Sequence, residues 1–153
     1  MQKLWIITVG FLFLMTGSYS FAQGLRDDWD KLNDEVMKFY STGKYNDAIA
    51  VAKRVLYVAT NNVGHEQHVD VATSLNNLAM VHGAKGQYIQ AESLHLRALV
   101  IRENILGTND LEVATSLNNL AELHRIQGNN VRAESFYKRA LAVTEKIQGL
   151  EDP

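Results

Sequence analysis

Between residues 70 and 107 the apolar positions recur at three- and four-residue steps. Ala72, Leu75, Leu78, Ala79 and His82 run along one stripe, Gly86 interrupts it, and Tyr88, Ala91, Leu94, Ala98, Ile101 and Ile105 form a second. Two stripes at the helical period, parted by a glycine, predict an antiparallel helical hairpin. No strand reading competes. Apolar and polar residues do not alternate over any convincing stretch, and the one proline is Pro153.

The hairpin is repeated. Shifting the chain by 42 positions superposes Asp70 to Gly107 on Glu112 to Gly149 without a gap, with 20 of 38 pairs identical and nine in a row from Val71 to Ala79 against Val113 to Ala121. A third, divergent copy lies upstream at an offset of 43, where Leu32, Gly43, Tyr45, Ala48 and Gly64 match Leu75, Gly86, Tyr88, Ala91 and Gly107. The extra residue falls in the loop holding His65 to His68, a place that absorbs insertions. A period between 20 and 50 residues marks a stack of units, each hiding one face against its neighbour. The predicted units are residues 27–64, 69–107 and 111–149, with 150–153 beginning a linker toward a further repeat or cap. Gly43, Gly86 and Gly128 are placed at the turns inside the hairpins, and Gly64, Gly107 and Gly149 at the ends of the second helices. Ala79, Ala121, Ala91, Ala98, Ala133 and Ala140 stand where helices approach closely, and a larger side chain at such a site costs about 1 to 3 kcal/mol.

The first residues are of another kind. Lys3 precedes an apolar run from Leu4 to Met15, and Ser20-Phe21-Ala22 places small residues at the two positions read by a signal peptidase. Residues 1–22 are therefore read as a secretory signal peptide, and the mature chain as periplasmic or secreted. The alternative is an uncleaved membrane anchor, since no charge occurs between Leu4 and Leu25. A spanning helix wants about 20 predominantly apolar residues, and Thr16 to Ser20 is mostly small and polar.

Composition narrows the chemistry. With 15 Lys and Arg against 17 Asp and Glu the chain carries −2, which offers no broad footprint for nucleic acid. It has no cysteine, hence no disulfide, thiolate metal site or thiol nucleophile. There is no phosphate-binding glycine loop, no His-Glu-x-x-His helix and no nucleophile elbow. His82, His95 and His124 fall on packing stripes, and no ligand set at fixed spacing accompanies them or His65 and His68. The expectation is a non-enzymatic protein with no cofactor and no metal.

Leu75, Leu78, Ala79, Gly86, Tyr88, Ala91 and Ala98, matched by Leu117, Leu120, Ala121, Gly128, Ala133, Tyr137 and Ala140, resemble the signature of the tetratricopeptide repeat. The 42-residue length and the Ala-Thr-Ser-Leu-Asn-Asn-Leu-Ala run look like the long variant of kinesin light chains. The resemblance covers residues 27 to 149 and implies an all-α, right-handed solenoid of three antiparallel hairpins. The chain departs from the pattern in places. Val36 and Val55 stand where a small residue is usual, Ala52 where a bulky one is, His82 and His124 where an aromatic is, and Asn130 where tyrosine is.

In such proteins the first helix of each hairpin lines a concave groove that takes a peptide or a partner helix. The resemblance thus implies groove positions at Asn33, Asp34, Met37, Thr73, Asn76, Asn77, Met80, Thr115, Asn118, Asn119, Glu122 and Arg125. Asn77 and Asn119 align with the family's groove asparagine, whose amide both donates to and accepts from a bound backbone. Asp34 stands at that place in the first copy and selects against an acidic ligand segment. The competing reading of the asparagines is capping or inter-repeat bonding with no ligand. Only Lys38 and Arg125 lie near the positions a carboxylate clamp needs, so no such clamp is expected.

The expected function is protein–protein interaction through this groove. Two further readings stay open, because the third hairpin is followed by no polar capping helix. The chain is a fragment of a larger repeat-containing sensor or secretion component, or it forms a homo-oligomer through its C-terminal face.

Overall fold

The computed structural model describes Gly24, residues 26–61 and residues 66–151, with side chains for residues 24, 26–61 and 69–149. Residues 1–22, Gly64 and His65 lie outside the described residues. Six helices and no strand occur among those described: α1 over residues 26–41, α2 Tyr45–Asn61, α3 Glu66–Ala84, α4 Tyr88–Leu106, α5 Leu111–Ile126 and α6 Asn130–Glu151. They pair as three hairpins, α1–α2, α3–α4 and α5–α6, stacked in chain order as a tetratricopeptide-type solenoid.

The turns inside the hairpins follow from local chemistry. Gly86 and Gly128 adopt φ values of 78° and 75°, left-handed torsions that strain any side chain bearing a Cβ. The next residues return hydrogen bonds to the helix just ended, Gln87 N–H to the His82 carbonyl at 2.9 Å and Asn129 N–H to the His124 carbonyl at 2.9 Å. These bonds satisfy carbonyls that the helix end leaves unpaired. Between the second and third hairpins Gly107 (φ 80°) closes α4, and Asp110 caps α5 by accepting the Glu112 N–H at 2.8 Å.

Gly149 differs from its expected role. It lies inside α6, which runs on to Glu151. Where Gly107 is followed by a bend and a capping aspartate, Gly149 is followed by Leu150 and Glu151, good helix formers. A glycine inside a helix costs only about 1 kcal/mol relative to alanine, too little to end one unaided.

The core is a series of clusters between hairpins rather than one central mass. Val36, Val51, Ala52 and Val55 pack with Leu78 and Val81, joining the first hairpin to the second. Leu99 packs with Val113, Leu117, Leu120 and Ala140, joining the second to the third. Ala79, Ala91, Ala98, Ala121, Ala133 and Ala140 are all buried, as close helix approach requires. Fully burying a side chain the size of leucine contributes about 1.5 to 3 kcal/mol, so each hairpin draws its stability from its neighbour.

Candidate functional site: the surface of the first helices

Three side-chain bonds tie α1 to α3 at nearly constant sequence separation. Arg26 pairs with Asp70 at 3.1 Å, Trp29 Nε1 donates to Ser74 Oγ at 3.0 Å, and Asn77 Nδ2 donates to Asn33 Oδ1 at 2.8 Å. Separations of 44, 45 and 44 mean that the two helices run parallel and side by side. These two first helices therefore share one surface of the stack.

On that surface the amide of Asn77 is partly engaged. Asn77 is half-buried and gives one N–H to Asn33, whose own amide donates back to the Trp29 carbonyl at 2.9 Å. Asn77 keeps its carbonyl oxygen and a second N–H for other partners. Asn119 is half-buried and makes no side-chain hydrogen bond among the described residues, while Asp34 and Met37 are exposed and Met80 is half-buried.

Other expected groove residues face elsewhere. Asn76 is buried, its Oδ1 accepting from His95 Nδ1 at 2.7 Å, so it is unavailable to a ligand. Thr73 is half-buried and accepts from Arg102 Nη2 at 3.2 Å. The physical reason is a period. Thr73, Asn76 and Gly83 follow one another at helical steps on α3, the first two bonded to α4 and the last meeting the next hairpin, where Leu123 Cδ1 lies 3.4 Å from the site of a Cβ on Gly83. Thr115, Asn118 and Arg125 hold the same places in α5 and are exposed on the far side of the third hairpin. Thr115 bonds back to the Leu111 carbonyl at 2.9 Å. Glu122 binds Arg125 with both oxygens at 2.6 and 2.7 Å and accepts from Tyr137 Oη at 3.1 Å. The Arg125 bond holds the Glu122 carboxyl below the usual carboxylate range, and the same contact raises the Arg125 guanidinium.

Sequence reasoning missed the polar cluster between the second and third hairpins. Arg102, buried in α4, donates to Ser116 Oγ at 2.8 Å and to the Glu112 carbonyl at 3.2 Å, and pairs with the Glu112 carboxylate at 2.7 Å. Burial lowers the guanidinium pKa, while Glu112 and Asp110 act to raise it. Beside it His95 is pushed down to about 4, first by burial and then by the Arg102 charge. His95 is therefore neutral, with its Nδ1–H directed at Asn76. Ser74 and Ser116 were the available signal. A small hydroxyl inside an aliphatic stripe needs a partner, and here the partners are Trp29 and Arg102.

His82 and His124, one repeat apart, also differ. His82 Nδ1 donates to Gln87 Oε1 at 2.6 Å, whereas the shorter Asn129 replaces that glutamine next to His124. His124 stacks on Phe136 with centroids 5.6 Å apart and sets Nε2 3.4 Å from Glu92. No group of three His, Cys, Asp or Glu among the described residues has metal-binding geometry, and no described helix is long and apolar enough to cross a membrane.

Comparison with known families agrees with this architecture. The tetratricopeptide repeat model matches residues 70–146, half of the sequence. The chain belongs to the tetratricopeptide repeat family. Tetratricopeptide repeats generally mediate protein–protein interaction, and the family's scaffolds are generally non-enzymatic. Among solved structures, BtubC (BKLC) from P. vanneervenii matches with a TM-score of 0.68 at 24% identity, over 77% of this chain and 46% of that one. A putative kinesin light chain from Podosopora anserina, with nearly identical TPR-like repeats, matches with a TM-score of 0.67 at 19% identity, over 78% of this chain and 56% of that one. This tetratricopeptide chain thus spans about half the length of those relatives, and at such identities the likeness concerns the fold. No curated protein matches.

Proposed function

We propose that the protein is an exported, non-enzymatic interaction module that takes an extended peptide or a helix of a partner protein against the surface formed by α1, α3 and α5. The observation that carries this reading is the parallel alignment of first helices, with the Asn77 to Asn33 bond of 2.8 Å crossing a repeat boundary. It fixes Asn77 in place and leaves its Oδ1 open. Asn119 lies one repeat further with its whole amide open, and Met37 and Met80 flank the row as adaptable apolar anchors. Asp34 at the head of the row favours a ligand that is neutral or basic there.

A hydrogen bond contributes about 0.5 to 1.5 kcal/mol net, so two asparagines orient a ligand whose affinity comes mainly from apolar burial. The test is capture of a partner from an extract of the source cells by residues 23–153. Asn119→Ala should weaken capture with the helical circular dichroism unchanged, and adding Asn77→Ala should weaken it further. Capture indifferent to both substitutions removes the groove from the reading.

Export rests on the charge, apolar run and small residues of positions 1–22. A mature chain beginning at Gln23, identified by mass in the periplasm or medium, is the expected result. An intact Met1 retained in the membrane fraction would show an anchor instead.

A further inference from the structure

We propose that the outer side of the second helices, centred on α4, rests on a membrane surface rich in anionic lipid, with the first helices turned away from the bilayer.

The middle one of the three second helices is apolar on two sides. At about 100° per residue, Ile89, Leu96 and Val100 fall within about 40° of one another, opposite the buried Ala91 and Ala98. They are 83%, 40% and 53% exposed. A helix apolar all round is ordinarily buried, yet this outer stripe stands in water. It lies between neighbours on both sides, since Leu56 of α2 and Leu94 of α4 share one core cluster, and Glu92 and Glu103 of α4 pair with Arg132 and Arg139 of α6 at 3.2 and 3.3 Å. The stripe also continues onto those neighbours. Tyr57 of α2, at the place of Val100, is 68% exposed, and Val131 of α6, at the place of Ile89, is 81% exposed. A single exposed aliphatic side chain is ordinary on any surface, but five on one side form a patch.

Charge names the occupant. Lys53 and Arg54 of α2 and Arg97 of α4 flank the stripe, exposed and without an ion pair among the described residues. The carboxylates beside it, Glu92 and Glu103, are neutralised by their arginines. The first helices hold nine Asp and Glu against four Lys and Arg, the second helices six against eight. A negative surface therefore draws in the second-helix side and repels the side of Asp30 and Asp34.

Shape separates lipid from protein. Ile89 and Val131 protrude, and a protein partner would have to supply a hollow for each, whereas lipid headgroups part around a protruding apolar side chain. The stems of Lys53, Arg54 and Arg97 can lie along the apolar stripe while their charged ends reach phosphate, and Tyr57 joins an apolar ring to a polar tip. A second copy is a poorer occupant, because it would set these three cations against their own likenesses.

The test uses the full chain, which has no cysteine of its own, with Leu96→Cys carrying an environment-sensitive fluorophore. A chain labelled through Met37→Cys, on the first-helix side, is the control. On vesicles of phosphatidylglycerol and phosphatidylcholine in equal parts the label at position 96 should shift to the blue and be quenched by lipid-borne quencher, while the label at position 37 stays in water. Both should be silent on phosphatidylcholine alone. Because the readout is local to one side of the fold, it holds whether or not residues 1–22 themselves bind lipid. Lys53→Glu, Arg54→Glu and Arg97→Glu together should raise the anionic lipid needed for half the shift by at least about tenfold. Silence at position 96 on anionic vesicles overturns the proposal, and a shift there in a lipid-free cell extract would then assign the face to an acidic protein. Equal shifts at positions 37 and 96, equal shifts on the two kinds of vesicle, or a shift unmoved by the three charge reversals overturn it as well. So does light scattering that reveals, without lipid, a dimer dissolved by Leu96→Asp.

Discussion

The second and third hairpins share 20 of 38 residues without a gap and live in different surroundings. Leu99 and Leu141 are the same residue at the same place in the repeat, yet one is sealed and the other is in water. Asn76 is buried against His95, while Asn118, its counterpart, is exposed. The Asn76 bond is lost because Tyr137 stands where His95 does, but the leucine contrast has another source. It comes from α5, which lies on one hairpin and has no equivalent on the other among the described residues. Burial in a stacked protein belongs to the pair of units rather than to either one.

Matched substitutions at equivalent places test this contrast. The largest separation is expected between Leu99→Ala and Leu141→Ala. The first opens a cavity between hairpins and should cost about 2 to 5 kcal/mol in urea unfolding, while the second should stay within about 0.5 kcal/mol. Similar costs for both would mean that the outer face is covered in solution.

Arg102 and Thr144 form the next pair. Arg102→Ala removes the donors to Ser116, Thr73 and Glu112 and leaves a gap, for an expected loss of about 2 to 4 kcal/mol. Thr144 bonds only to the Ala140 carbonyl of its own helix, and Thr144→Ala should cost less than about 1 kcal/mol. Arg102→Met, which keeps the volume, should fall between them and show how much of the effect is polar.

The third pair separates by pH. His95 titrates near 6.5 when unfolded and is lowered to about 4 in the fold, so between these values the unfolded chain holds a proton that the folded chain lacks. Stability therefore falls as pH drops from 6.5 toward 4, by up to about 3 kcal/mol from this residue. Melting temperatures measured from pH 7 to pH 4 should show the decline in the natural chain and a shallower one in His95→Gln. Tyr137→Phe, at the equivalent place, should leave the slope unchanged.

The helices, the two in-frame hairpins and the close-packed alanines were legible because each rests on spacing within one unit. Leu75, Ala79, Ala91 and Ala98 face their own partner helix, and a period of 3.6 residues is enough to place them. Thr73 and Asn76 were less legible, because they are held by Arg102 and His95, polar residues of α4 whose burial their own stripe does not announce. The burial of Arg102 rests on Ser116 and Glu112 of the next hairpin, which close over it. Of the expected groove, Asn77 and Asn119 remain on the surface of the first helices, whereas Thr115, Asn118 and Arg125 belong to the end of the stack.

Trp29 has one more consequence. Its indole N–H is anchored on Ser74 while Arg26 lies 5.5 Å above the ring, so the one described tryptophan reports on the seam between the first two hairpins and on no other. The two seams of the molecule are thus optically distinct. A denaturation followed by indole emission and again by overall helicity would reveal whether that seam opens with the rest of the array or apart from it.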